Sequence, residues 1–238
     1  WGGGCGWDGD MQGTEFKVNA TTDNDQTRPN ATGLSDGRFA VVWQNLGATT
    51  WDVFTQIFDA GGSPLLAETV INADIDYFAN SQHNATAAGL GEGAFAVVWE
   101  SGSQDGDQTG IFGRTVDADG GALSSEFAIN ELWAGAQFHP QVASPGPSGF
   151  MVVWTTSEDG DDGTGISGRL FDTDGNPKAG EFQVNSYTPG LQEVARIAAR
   201  QDAVNPYFVV VWTSVGQTGG TSNVFAQRFN GSGKKLYH

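Results

Sequence analysis

"GFMVVWTTSEDGDDGTGISGRLFDTDG" spans Gly149–Gly175. An apolar run ends at Trp154, an acidic glycine-rich stretch follows, and a second run ends at Phe171 before the turn-forming Asp172–Gly175. Two strands joined by a polar hinge is the simplest reading. The pattern recurs. "RFAVVW" ends at Trp43, "AFAVVW" at Trp99, "FMVVW" at Trp154 and "FVVVW" at Trp212, so the tryptophans stand 56, 55 and 58 residues apart.

Each tryptophan run is followed by a second strand: "DVFTQIFDAGG", "GIFGRTVDADGG", "GISGRLFDTDGN" and "NVFAQRFNGSGK". A third element reads "TEFKVN", "AETVIN", "SEFAIN" and "GEFQVN", and a Gln-x-x-Pro-like slot precedes the next tryptophan run. Four short strands per unit predict an all-β fold of four four-stranded repeats, most simply a four-bladed β-propeller closed by the N-terminal strand. The repeats run roughly over 13–66, 67–124, 125–179 and 180–238, after a glycine-rich stub at 1–12. The continuous apolar tryptophan strands predict burial on both faces. "LQEVARIAARQDA" (Leu191–Ala203) has helical propensity, but it fills the slot that holds Pro140 and Pro145 in the preceding unit. The repeat therefore predicts strand there.

The pattern E-F-x-V-N, Q-x-x-P, G-F-x-V-V-W, D-G-x-x-x-G-I-x-G-R-x-F-D-x-x-G resembles repeats in large bacterial secreted and surface proteins of the calcium-binding, haemolysin type. The resemblance covers Gly13 to Gly233 and departs most in unit one, where "NLGATTWDVF" replaces the acidic glycine-rich run. It implies an extracellular or cell-surface structural module, with calcium as the cofactor to consider.

Composition narrows the function classes. Acidic residues exceed basic ones by 28 to 11, a formal charge of −17, which disfavours nucleic-acid partners. No apolar run is long enough to cross a bilayer as a helix. The single cysteine, Cys5, permits no intrachain disulfide, and a start at Trp1 without a signal-like segment suggests a mature or excised piece. Glycine, at 35 residues, is about twice as frequent as usual and fits many tight turns.

Candidate sites follow from the loops. Asp105 and Asp107 in unit two, and Asp159, Asp161 and Asp162 beside Glu158 in unit three, could share a calcium ion or simply form solvated hairpin tips. Asp117, Asp119, Asp172 and Asp174 read instead as Asx-turn residues that bond their own backbone. Sequons at Asn19, Asn30, Asn84 and Asn230 are candidate glycosylation sites. Trp51 and Trp133 lack counterparts in other units and are candidate ligand-binding residues. His83 and His139 read as scattered surface-loop residues.

No nucleophile elbow, metal-binding helix motif or phosphate loop is present. Fourfold equivalence argues against catalysis, since an active site breaks a repeat with unique residues. The expectation is therefore a non-catalytic extracellular or surface module, structural or adhesive, with no enzyme activity. Three alternatives stand beside it: a filament subunit assembled head to tail by strand complementation, a lectin-like carbohydrate-binding module, and a hydrolase with a dispersed carboxylate pair, which rests on the abundance of acids alone. Partners would be further copies of the chain, or surface glycans and proteins. The segment Glu15–Asn19 matches the last strand of a unit and could lie beside Val224–Phe229, in the same molecule or in the next.

Overall fold

The computed structural model describes residues 14–73, 80–157, 163–200 and 205–237. Among these residues sixteen strands form four antiparallel four-stranded sheets. Blade 1 contains β1 (Gln26–Gly33), β2 (Phe39–Leu46), β3 (Trp51–Phe58) and β4 (Thr69–Val70). Blade 2 contains β5 (Gln82–Gly91), β6 (Ala94–Gly102), β7 (Thr109–Val116) and β8 (Phe127–Ala128). Blade 3 contains β9 (Gln137–Ala143), β10 (Phe150–Thr156), β11 (Gly165–Phe171) and β12 (Phe182–Gln183). Blade 4 contains β13 (Gln192–Arg200), β14 (Tyr207–Val215), β15 (Ser222–Asn230) and β16 (Lys235–Leu236). The helical-looking segment of unit four is the strand β13, as the repeat predicts.

The tryptophan strands are doubly covered because their two faces meet different blades. Phe95, Val97 and Trp99 of β6 join Ala40 and Val42 of β2 in one core, while Ala96 and Val98 join Phe150, Val152 and Trp154 of β10 in the next. Met151 and Val153 of β10 then meet Phe208, Val210 and Trp212 of β14. Alternation along a strand thus builds three successive inter-blade cores. At the two ends of the array the pattern changes. On β14, every second residue is only half-buried, and Val224 of β15 is 77% exposed. At the other end Phe39, Val41, Trp43 and Phe58 of blade 1 are covered by the N-terminal segment through Val18 and Phe16.

The repeated polar letters have specific work. The Asn of three V-N or I-N pairs accepts a backbone N–H from the third strand: Asn72 from Val53, Asn130 from Ile111 and Asn185 from Ile166, each at 2.8 Å. The Gln that opens each inner strand donates to carbonyls of the loop before it: Gln82 to Asn80, Gln137 to Ala134 and Gly135, and Gln192 to Pro189. In the D-x-D-G turns, Asp117 accepts the N–H groups of Asp119 and Gly121, and Asp172 those of Asp174 and Asn176. These are the self-bonding turns that the sequence predicts.

As the match of Glu15–Asn19 to the last strand of a unit implies, the sheets are offset by one strand from the repeat bounds, so repeats two to four each carry the outer strand of one blade and the inner three of the next. One feature differs from the sequence reading. The expected terminal strand Glu15–Asn19 has no ladder partner among the described residues. Blade 4 instead pairs β16 at Phe229↔Lys235 and Arg228↔Leu236, the position of the single bridge Phe171↔Pro177 in blade 3. In blade 3 the outer strand proper pairs Ser167↔Gln183 and Gly168↔Phe182, and the equivalent residues Phe225 and Ala226 of β15 have no outer partner among the described residues.

Candidate functional site at the axial mouth

The first strands pack in order, β1 against β5, β5 against β9 and β9 against β13, and all four border one recess. Each carries a β-bulge near its start, breaking the ladder between Thr27 and Asn30, between His83 and Thr86, opposite Val153–Thr155, and between Glu193 and Arg196. The residue inside each bulge is left-handed: Arg28 (φ 53°), Asn84 (φ 53°), His139 (φ 55°) and Val194 (φ 56°). Positive φ is strained for non-glycine residues, most of all for a β-branched valine. Bulges re-aim side chains, and here four of them turn equivalent positions toward one recess of about 360 Å³. These four positions share backbone geometry but not chemistry: the repeat supplies the frame and departs from itself at the axis.

Beneath the mouth lies Glu100, only 8% exposed, at the end of β6. Its Oε1 accepts the backbone N–H of His139 (2.5 Å) and the Nδ2 of Asn84 (2.7 Å). Gln44, in the same place at the end of β2, accepts the N–H of Asn84 (3.3 Å). The residue after Trp43 and the one after Trp99 thus tie their blades to the bulge of the following one. Arg28 Nη1 donates to Asn84 Oδ1, linking blades 1 and 2 across the mouth. His83 is half-buried, with its ring 6.3 Å from Trp51. Burial holds its imidazole below the ordinary histidine range; the Glu100 charge opposes that shift and the Arg28 charge adds to it. The other end of the axis holds a recess of about 550 Å³ bordered by Gly33, Gly89, Gly91, Pro145, Pro147 and Pro206, which offer little side-chain chemistry.

The candidate residues from the sequence fall unevenly around this geometry. Asp107 Oδ2 accepts the N–H of Gly135 (2.9 Å), and Asp105 Oδ1 accepts the N–H of Asp107 (3.3 Å), so both serve as hairpin-tip acceptors. Asp159, Asp161 and Asp162 lie outside the described residues. Among the described residues no three His, Cys, Asp or Glu side chains cluster closely enough to hold a metal. Asn84 is at the mouth, Asn30 Oδ1 accepts the N–H of Ala87 (3.0 Å), and Asn230 Oδ1 caps its turn at Ser232 and Lys234. Asn19 donates to Thr21 and Gln26. Trp133 is 57% exposed between β8 and β9, whereas Trp51 begins β3 and flanks His83. His83 and His139, expected as loop residues, belong to the inner strands β5 and β9. The slot looked loop-like because a bulge needs the same proline and polar residues as a turn. Comparing that slot across repeats, position by position, would have exposed Arg28, Asn84, His139 and Val194 as the place where the units diverge.

No family model matches the chain, and no curated protein does. Solved structures do. The α-L-arabinofuranosidase of glycoside hydrolase family 93 from Fusarium graminearum, in complex with arabinobiose, superposes at TM-score 0.53 with 12% identity, over 88% of this chain and 65% of that one. The Penicillium chrysogenum α-L-arabinanase, complexed with arabinobiose, superposes at TM-score 0.50 with 12% identity, over 87% and 63%. The chain has the β-propeller fold. It spans slightly less than two thirds of these two five-bladed proteins and has four sheets of its own. The expectation of a non-catalytic structural or adhesive module, with its filament and lectin-like alternatives and its exclusion of enzyme activity, is corrected here. It rested on repetition as an argument against catalysis. Both similar structures are glycoside-cleaving enzymes built from repeated blades, and the axial mouth breaks the repeat in the way that argument required it not to.

Proposed function

We propose that the protein is a carbohydrate-active enzyme whose saccharide binds on the propeller axis, at the mouth formed by Arg28, Asn84, His139 and Arg196. The observation that carries this reading is the set of four equivalent, left-handed bulge positions, which bear four different side chains over one recess. Strain of this kind costs on the order of 1–3 kcal/mol per residue and clusters at functional sites. The amide of Asn84 and the guanidinium groups suit sugar hydroxyls, and the imidazole of His139 brings ring nitrogens able to donate or accept a hydrogen bond and serve as a general acid or base. Glu100 fixes the backbone of His139 and the amide of Asn84, and so acts as a positioning residue.

The same reading includes a four-bladed ring closed by the N-terminal strand. Phe16 packs at a tilt against Phe58 as Phe127 does against Phe171 and Phe182 against Phe229, in the last two cases the outer-strand Phe of one blade against the third strand of the next. Each of these Phe rings also lies over a turn glycine, Gly62, Gly175 and Gly233 respectively. Phe16 therefore occupies the outer-strand position of a blade preceding blade 1, and the unpartnered edge of β15 at Phe225 and Ala226 is where that strand fits.

The experiment is turnover of a panel of arabino-, manno- and uronic-acid-containing oligosaccharides, followed by product chromatography. Cleavage is expected, with His139→Gln lowering kcat by about 100-fold or more while KM changes little. No turnover on any substrate, or a His139→Gln protein as active as the wild type, would overturn the reading.

A further inference from the structure

The charge at the mouth is opposite to that of the molecule. The chain carries 28 acidic and 11 basic residues, yet the charged side chains bordering the recess are Arg28 and Arg196, and the carboxylate beneath it, Glu100, is engaged by the backbone N–H of His139 and the amide of Asn84. Neither guanidinium is in an ion pair among the described residues, where the pairs are Arg38–Asp36 and Arg169–Glu131. Arg28 donates to the neutral amide of Asn84, and Arg196 to the carbonyl of Ala195 at 2.9 Å. Both residues are exposed, so each keeps several N–H donors for a ligand. They come from blades 1 and 4, on either side of the seam between the ends of the array.

An acidic protein has little reason to place two arginines without carboxylate partners around its axis unless an anion belongs there. At physiological ionic strength the Debye length is about 8 Å, so the overall negative charge is screened at the mouth while the nearby cations are not. Arginine presents a planar fork that matches an oxyanion with two parallel hydrogen bonds.

Resting on the carbohydrate reading above, we propose that the ligand of the axial mouth carries a compact oxyanion gripped by Arg28 and Arg196. Two sources share that chemistry: the carboxylate of a uronic acid residue in the saccharide, and a free phosphate bound beside it. Arg28 and Arg196 then act as the residues that set specificity.

Calorimetric titration of the 238-residue protein tests this with trisaccharides of galacturonic, glucuronic and mannuronic acid, their neutral methyl esters, neutral arabino- and manno-trisaccharides, and inorganic phosphate alone. The acid form is expected to bind about 10-fold or more tightly than its own methyl ester, a preference that Arg28→Gln and Arg196→Gln each reduce. Phosphate that binds alone and competes with the acid assigns the oxyanion site to phosphate. Thermal melting of each variant separates lost binding from lost fold, and Arg28→Lys should recover part of the preference by restoring the charge without the fork. Acid and ester binding equally, or neutral saccharides binding best with no effect of the arginine variants, would overturn the inference and leave the saccharide reading standing. Failure of every saccharide to bind would remove that reading as well.

Discussion

His83 shows how one side chain registers both packing and charge. Its ring is half-buried beside Trp51, and burial disfavours the imidazolium, so its pKa is lower in the folded protein than in the unfolded chain. Between those two values the unfolded state binds more protons. Stability from this residue is therefore fully present above about pH 6.5 and is lost progressively as the pH falls from there through the lower folded pKa. The melting temperature of the wild type should fall between pH 7.5 and pH 5.5 by more than that of His83→Gln. Identical pH profiles would show that the ring takes up its proton without cost. Glu100 is a different case. Its letter in the sequence is one acid among 28, and nothing distinguishes it until the fold brings β9 alongside and the N–H of His139 reaches its carboxylate. Asn72, Asn130 and Asn185 were legible as a repeated letter, but only the register of the outer strand explains why that letter is an acceptor.

At the scale of elements, strands were easier to read than their irregularities. The tryptophan strands announce themselves because both faces are buried and the apolar run is unbroken. Bulges do not, since one extra residue leaves composition unchanged and alters only which way a side chain points. Val194 illustrates the cost. It is 46% exposed, so it buries little, yet its φ of 56° is one that a β-branched residue adopts under strain. Val194→Gly is expected to raise stability by about 1 kcal/mol, because relief of strain outweighs the added entropy of the unfolded chain. A loss of similar size in denaturant titration would place the valine among residues that hold the bulge. Gly149, before β10, is the reverse case. Its φ is 109°, and an added Cβ would stand 2.1 Å from the carbonyl oxygen of Phe171. Gly149→Ala should destabilise by about 2–4 kcal/mol, since neither the backbone angle nor the neighbouring carbonyl can give cheaply. A near-neutral Gly149→Ala would mean that β10 and β11 are less tightly held at that corner than the ladder indicates.

At the scale of the molecule, blades 1 to 4 stack through cores that each need two faces, and the array leaves one face at either end. The half-buried side of β14 and the exposed Val224 of β15 lie at one end; Phe39, Val41 and Trp43, under Phe16 and Val18, lie at the other. The offset between sequence repeat and blade is what supplies a spare outer strand at the start of the chain. That offset is readable from the alignment of "TEFKVN" with "GEFQVN"; the partner it selects is not, because the same edge fits the same chain or another. Arg28 and Arg196 border one recess from the two ends of the array, and closure into a single ring would fix the distance between them. The direct measurement is disulfide trapping in a Cys5→Ser background. By the register of blade 3, in which Ser167 faces Gln183, Lys17 should face Phe225. Lys17→Cys with Phe225→Cys is expected to oxidise to a monomer with an internal disulfide, while the out-of-register pair Lys17→Cys with Arg228→Cys stays reduced. Disulfide-linked oligomers from the first pair, or no bond at all, would contradict the closed ring.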